Sequence, residues 1–343
     1  MKTKYLLVTL IALSAFTVSI QAQTTGDSCS IKLKNASTAY DQRDFDGSIK
    51  LLQSAVTNCK LDKTDLITAY KLLALSYLAI DHLEDADAMA SNIIKLDPNY
   101  SPDRFKDDPQ YSGLFNKFKP TPVLRAGIQG GLNFSSIDVI KTYSVVHADS
   151  LDGLATYNSK SGFQLGASAE LKLINNLWLN VSGNYRKSAY EHILDSVAGN
   201  TITYNEKLNY FEAPVSLNYY FLNKTVHPYI NVGATFSLLS NAISTTSRTG
   251  SQDLVDRTAL RNTFNVGYHA GAGVMYTNKS FCLGANMQYT LYPTQVNKEG
   301  TRYSDEVNLF KYYYIDDDFK LNFVQINLTV AYVLKYKNVK TTN

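Results

Sequence analysis

The chain has 343 residues, a formal net charge of +3 and only 18% charged residues. It holds 25 Tyr and 15 Phe against a single Trp, and three Cys. That balance gives no reason to expect a nucleic-acid partner, and the cysteines lack the CxxC spacing of a zinc site.

At the N-terminus Lys2 and Lys4 precede an uncharged apolar run, Tyr5–Ile20, and Ala22 offers a small residue at a cut. This pattern predicts a secretory signal peptide over residues 1–22, too short and wrongly flanked for a retained anchor. Its removal takes away two Lys and no acid, lowering the formal charge from +3 to +1. Cys29 follows Thr25-Gly26-Asp27-Ser28, which is no lipobox, so lipid attachment is not expected. No later apolar run is long enough to cross a membrane as a helix.

The next stretch has a helical period. In Leu66–Tyr100, Tyr70, Leu73, Ala74 and Tyr77 share one face, and Ala86, Ala90 and Ile93 share the face of a second helix that Pro98 ends. Small residues at these offsets, where two helices must approach closely, resemble the tetratricopeptide pattern. A weaker copy precedes it, with helices over Ser30–Gln42 and Phe45–Asn58. Two such units are few for a stack that usually needs about three, so support from outside the repeats is expected. One source is Cys29 and Cys59, which a helical hairpin brings together. In an oxidising periplasm they are expected to form a disulfide, worth about 3 kcal/mol. Pro109–Phe118 then predicts a short helix within a Pro- and Asp-rich linker, either capping the repeats or docking them under the β-rich region.

From about residue 121 the period is two. In Gly162–Arg186, Phe163, Leu165, Ala167, Ala169, Leu171 and Leu173 alternate with polar residues or glycine. A turn at Asn175-Asn176 leads to Leu177, Leu179, Val181 and Tyr185, again alternating. Strands of roughly ten residues with one apolar and one polar face are those of an outer-membrane barrel. Further segments are expected at Val123–Phe134, Leu208–Phe221, His227–Leu239, Thr263–Tyr276, Ser280–Leu291 and Leu321–Leu334. The connections after the second, fourth and sixth segments are short, and the others run to roughly 15–30 residues. Short periplasmic turns alternating with long outer loops is the barrel rule, and an even strand number returns both barrel ends to the periplasm.

The expected organisation is therefore multi-domain, α plus all-β. It comprises a signal peptide (1–22), a TPR-like helical periplasmic domain (23–98), a linker with a short helix (99–121), an eight-stranded antiparallel transmembrane β-barrel (122–336) and a periplasmic tail (337–343). Tyr210-Phe211-Glu212-Ala213-Pro214-Val215, Asn218-Tyr219-Tyr220-Phe221 and Gly267–Gly273 resemble the PorT-like outer-membrane barrels of Bacteroidota over about residues 121–336. Members of that family are functionally diverse, and some serve gliding and secretion machinery. The resemblance also implies O-glycosylation at Asp-Ser-aliphatic sites, here Ser150 and Ser196.

By parity Arg125, Glu170, Lys172, Arg186 and Glu212 point into the barrel. Eight strands enclose a space that side chains can fill, so a charge-paired structural plug is favoured over an ion path. Ser237 and His269 face inward, but no spacing points to a triad. His227 is placed near the periplasmic interface, and His147 and His192 in loops. Asp316-Asp317-Asp318 could coordinate calcium, and is read as a solvated loop. No catalytic residue, cofactor or metal is expected. The functional expectation is a non-enzymatic outer-membrane anchor, in contact with lipid, whose helical repeats bind a periplasmic protein partner. An outer-membrane lipid hydrolase and a narrow channel are the alternatives.

Overall fold

A computed structural model describes residues 23–103, 105–145, 155–195, 201–222 and 225–340. The predicted signal peptide, His147, Ser150 and Ser196 lie outside them. The chain forms two compact units, the second being Pro122–Tyr336, while the end from Lys337 groups with the first.

The first unit holds five helices: α1 (Gln23–Asp41), α2 (Phe45–Asn58), α3 (Lys63–Ala79), α4 (Leu83–Leu96) and α5 (Pro109–Phe115). Local chemistry starts them. Asp44 caps α2 by accepting from the Gly47 N–H at 2.9 Å, and Asp62 caps α3 through the Asp65 N–H at 2.7 Å. Pro109 fills the first turn of α5, where its missing N–H costs nothing. The turns between paired helices use left-handed residues, Arg43 (φ 62°) and Asp81 (φ 60°). α1 starts at Gln23, not at Ser30.

α3 carries Leu, Ile or Tyr on every side because it is the central helix, packed against α1, α2, α4 and α5. Ala69, Ala74, Ala86 and Ala90 are fully buried where α3 and α4 meet, and Leu52, Leu73 and Ile93 fill the space around them. α5 covers α3 and α4, with Tyr111 buried and its hydroxyl 2.9 Å from that of Tyr100. Within the first unit this helix caps the stack. The Cys29–Cys59 disulfide is formed.

The second unit is a closed antiparallel barrel. Its strands are β1 (Phe118–Lys141), β2 (Ala155–Ile174), β3 (Leu177–Asp195), β4 (Thr201–Tyr220), β5 (Val226–Arg248), β6 (Ser251–Asp256), β7 (Phe264–Asn278), β8 (Phe281–Leu291) and β9 (Asp318–Lys340). Each barrel strand pairs with its neighbours, β5 pairs with β7, and β9 lies beside β1. Eight strands thus close the ring, and β6 is a ninth, added to the end of β5.

Several strands run much further than their apolar stretches. The β3–β4 ladder continues to Asp195 opposite Thr201, so residues 196–200 alone replace the long loop expected there. After β5 the expected long loop is a tight hairpin, with both Thr249 (φ 47°) and Gly250 (φ 80°) left-handed. His192, expected in a loop, is a buried inward residue of β3. β9 reaches Lys340, so most of the expected tail is strand.

The reason is visible on the outer face. In the middle of the barrel that face is apolar and exposed: Ile128 64%, Leu165 61%, Val232 61%, Leu328 65%. From Phe163 to Leu173 the band is about 25 Å tall at the usual rise and tilt of barrel strands, the height of a bilayer's apolar layer. Tyr219, Tyr276 and Tyr332 ring the short-turn end, and Tyr268 and Tyr289 stand toward the other end, all exposed. Beyond Arg186 the outward residues of β3 and β4 become Lys187, Glu191, Asp195, Thr203, Asn205 and Lys207. The strands leave the bilayer there and continue as a wall in water.

Candidate functional site

Arg125 on β1 and Glu170 on β2 face each other in the ladder and join in an ion pair inside the barrel. Glu170 also accepts from Asn218 Nδ2 at 2.7 Å, and the Arg125 guanidinium lies 4.4 Å from the Trp178 ring and 4.8 Å from the Tyr220 ring. Arg186 on β3 pairs separately with Glu212 on β4, through Nη2 at 2.7 Å and Nε at 2.8 Å. Its planar guanidinium is stacked 3.6 Å from the Phe323 ring centre. Glu212 further accepts from the hydroxyls of Ser237 and Tyr292, both at 2.9 Å. These are two satisfied pairs rather than one network. Lys172 joins neither: it is half-buried, 6.0 Å from the Trp178 ring.

Between the pairs lies a polar chamber of about 50 Å³, lined by the amides of Gln129, Gln164, Asn180, Asn231, Gln288 and Gln325 among others. It has room for about three or four waters. The amide oxygens of Asn180 and Asn231 are buried and lack protein partners, as water ligands would be. Trp178, Tyr220, Tyr229, Met275 and Val333 pack across the barrel at the short-turn end. Tyr210, Leu239, Tyr292, Leu321 and Phe323 pack across it on the other side.

Outside that second layer is a buried cluster that the sequence reading missed. Glu206, with no exposure, accepts from Tyr190 at 2.5 Å, Tyr204 at 2.9 Å and Arg261 at 2.8 and 2.5 Å. Asp316 takes Arg261 at 2.7 Å and Arg257 at 2.5 Å, and Asp305 takes Arg257 at 3.3 Å. Tyr204 stacks on Tyr314 at 4.4 Å, and Tyr314 bonds His192 Nδ1 at 3.1 Å. The segment between β8 and β9 is thereby folded into the mouth opposite the short turns, clamped by two arginines from the segment after β6.

This arrangement corrects the reading of Asp316-Asp317-Asp318 as a solvated loop. Asp317 accepts from the Tyr143 N–H and the Tyr157 hydroxyl, both at 2.8 Å, and Asp318 pairs with Arg302. Burial would raise the Asp316 carboxyl, but Arg261 and Arg257 hold it below the ordinary range. Asp317, buried without a cation of its own, is pushed above it, burial being the main cause and Asp316 a second. Among the described residues no group of acids, His or Cys is placed to hold a metal.

Ser237 and His269 do not form a catalytic pair. The serine hydroxyl is taken by Glu212 and Tyr292, and His269 Nδ1 by Thr235 at 2.9 Å. Both are buried inside the barrel. His227 bonds the Leu222 carbonyl at 2.7 Å near the short-turn end. The available signal for the outer cluster was continued alternation: Tyr190 and His192, then Ile202, Tyr204 and Glu206, hold the inward parity of their strands beyond the apolar band.

A closed ring of eight antiparallel strands with an apolar outer band defines an outer-membrane β-barrel, and the membrane it sits in is the outer one. The chain belongs to the family described as outer membrane protein beta-barrel domain, whose model matches residues 122–295, just over half of its length. Among curated proteins none matches it. It is similar to Neisserial surface protein A (15% identity, 62% of this chain and 97% of that one, TM-score 0.32). It is also similar to OprG from Pseudomonas aeruginosa (12%, 64% and 98%, 0.35) and to the outer membrane protease OmpT from Escherichia coli (8%, 63% and 98%, 0.34). At such identities nothing about activity passes from those proteins to this one.

Proposed function

We propose that this protein is a non-enzymatic outer-membrane anchor, with its helical unit in the periplasm as the docking surface for a protein partner. The observation that carries this reading is the filled barrel. Packed aromatic layers close both sides of its chamber, and the inward-facing Ser237 and His269 are bonded to other groups. What remains available to a partner is the helical unit. Stacked helix pairs of the tetratricopeptide kind present surfaces that bind peptides or helices, and Cys29–Cys59 suits an oxidising compartment. The short turns are assigned to the periplasm by the barrel rule. Kinship with the PorT-like barrels of Bacteroidota, and a place in an envelope or secretion assembly, belong to the same proposal.

Deleting residues 23–119 is expected to abolish co-purification of the partner while leaving an inserted, heat-modifiable barrel. A barrel that kept every partner without its helices would overturn the reading. The hydrolase alternative predicts a changed lipid profile in a His269→Ala strain, and the anchor predicts none.

A further inference from the structure

Just past the apolar band, the outward face of β2, β3 and β4 carries three lysines. Lys160 stands opposite Ala189, and Ala189 opposite Lys207, so these two lysines share one row. Two strand spacings separate their backbones by about 10 Å, a gap that two lysine side chains can close on one small anion. Lys187 lies one outward step nearer the membrane on β3, opposite Phe163 and Asn209.

Lys160 faces outward because of a bulge between Lys160 and Phe163, which reverses the parity of β2. Gly162 makes that bulge fit: an added Cβ would meet the Lys187 carbonyl oxygen at 2.0 Å. Lys160 has one acidic partner, Glu191 at 3.1 Å, flanked by Asn158 and Asn205. Among the described residues no carboxylate pairs with Lys187 or Lys207. On the membrane side of the lysines Phe163, Tyr185 and Phe211 form a ladder, with ring centres 6.3 and 5.7 Å apart. Cations therefore stand at the height of lipid headgroups, directly over aromatic rings at the height of upper acyl chains.

We propose that Lys160, Lys187 and Lys207 bind the phosphate of a phosphorylated saccharide headgroup, that of the outer leaflet's glycolipid, with its acyl chains along Phe163, Tyr185 and Phe211. Charge complementarity selects the phosphate, and the aromatic ladder in the bilayer selects a lipid over a soluble anion. The inference rests on the reading that the extended strand ends face outward from the cell.

The test measures binding of bisphosphorylated and dephosphorylated lipid A to the purified full-length protein by native mass spectrometry. The native chain is expected to retain the bisphosphorylated form selectively. At about 1 kcal/mol per surface cation, Lys187→Ser with Lys207→Ser should weaken binding roughly 25-fold. Lys187→Arg with Lys207→Arg should retain it, and Lys335→Ser, at the opposite end, should not change it. Heat-modifiable gel mobility checks that each variant is folded. Equal binding of the dephosphorylated lipid, or no loss in the double serine variant, would overturn the proposal. So would inorganic phosphate displacing the glycolipid at equal affinity. Orientation is read separately, by labelling Gln252→Cys with an impermeant maleimide on intact cells, since Cys282 is buried and the other cysteines are bonded. Labelling supports the outward reading; its absence with intact lipid binding would overturn the orientation and leave the lysine site standing.

Discussion

Arg186 and Glu212 show what a buried charge demands. Each is almost unexposed, and the pair is held by further hydroxyl donors and a stacked ring. Removing one partner strands the other, which typically costs 3–5 kcal/mol, whereas replacing both with apolar residues of similar volume is often neutral. Arg186→Ala is therefore expected to lower barrel stability by about that amount in urea unfolding from lipid vesicles, and Arg186→Met with Glu212→Leu to restore most of it. Equal loss in both variants would contradict the pairing. In the helical unit, burial would raise the Asp107 carboxyl, but its bond to Lys71 and its other donors hold it below the ordinary range. Its folded pKa is thus lower than its unfolded one. The stability it adds is present above pH about 4 and is lost as pH falls through the folded value. Asp107→Asn should flatten that part of the pH profile of helical circular dichroism. An unchanged profile would remove Asp107 from the account.

At the scale of elements, the cross-link between α1 and α2 closes a loop of 30 residues, and its loss should cost the helical unit about 3 kcal/mol. Cys29→Ser with Cys59→Ser is expected to lower the helical melting transition and leave the heat-modifiable mobility of the barrel unchanged. Legibility also divides here. The Gly162–Arg186 hairpin, the eight barrel strands, the four N-terminal helices and the disulfide could be read from period and cysteine placement. The strand ends were missed, because an apolar outer face marks only what touches lipid, and past it the inward parity alone continues. Lys187, Lys207 and Asp195 belong to the same strands but face water. Parity was a good guide to Arg125, Glu170, Arg186 and Glu212, all buried inward, and a poor one past a bulge, as at Lys160. The Glu206–Arg261–Asp316 cluster joins residues far apart in the chain. Only the fold of the loop before β9 brings them together, and no local spacing announces it.

For the whole molecule, a chamber closed by aromatic layers on both sides predicts no steady conductance when the purified protein is reconstituted in planar bilayers. Sustained single-channel steps would contradict the filled barrel. On the proposed reading the barrel is an attachment point, and the surface offered to a partner is the helical unit. A photo-crosslinking residue placed in intact cells at Ile31 or Leu83, both more than half exposed on the helices, tests this most directly when compared with one at Leu254 on the β5–β6 hairpin. The account predicts a discrete adduct with a second protein from the helical positions and none from Leu254. Adducts confined to Leu254, with the helical positions silent, would contradict it.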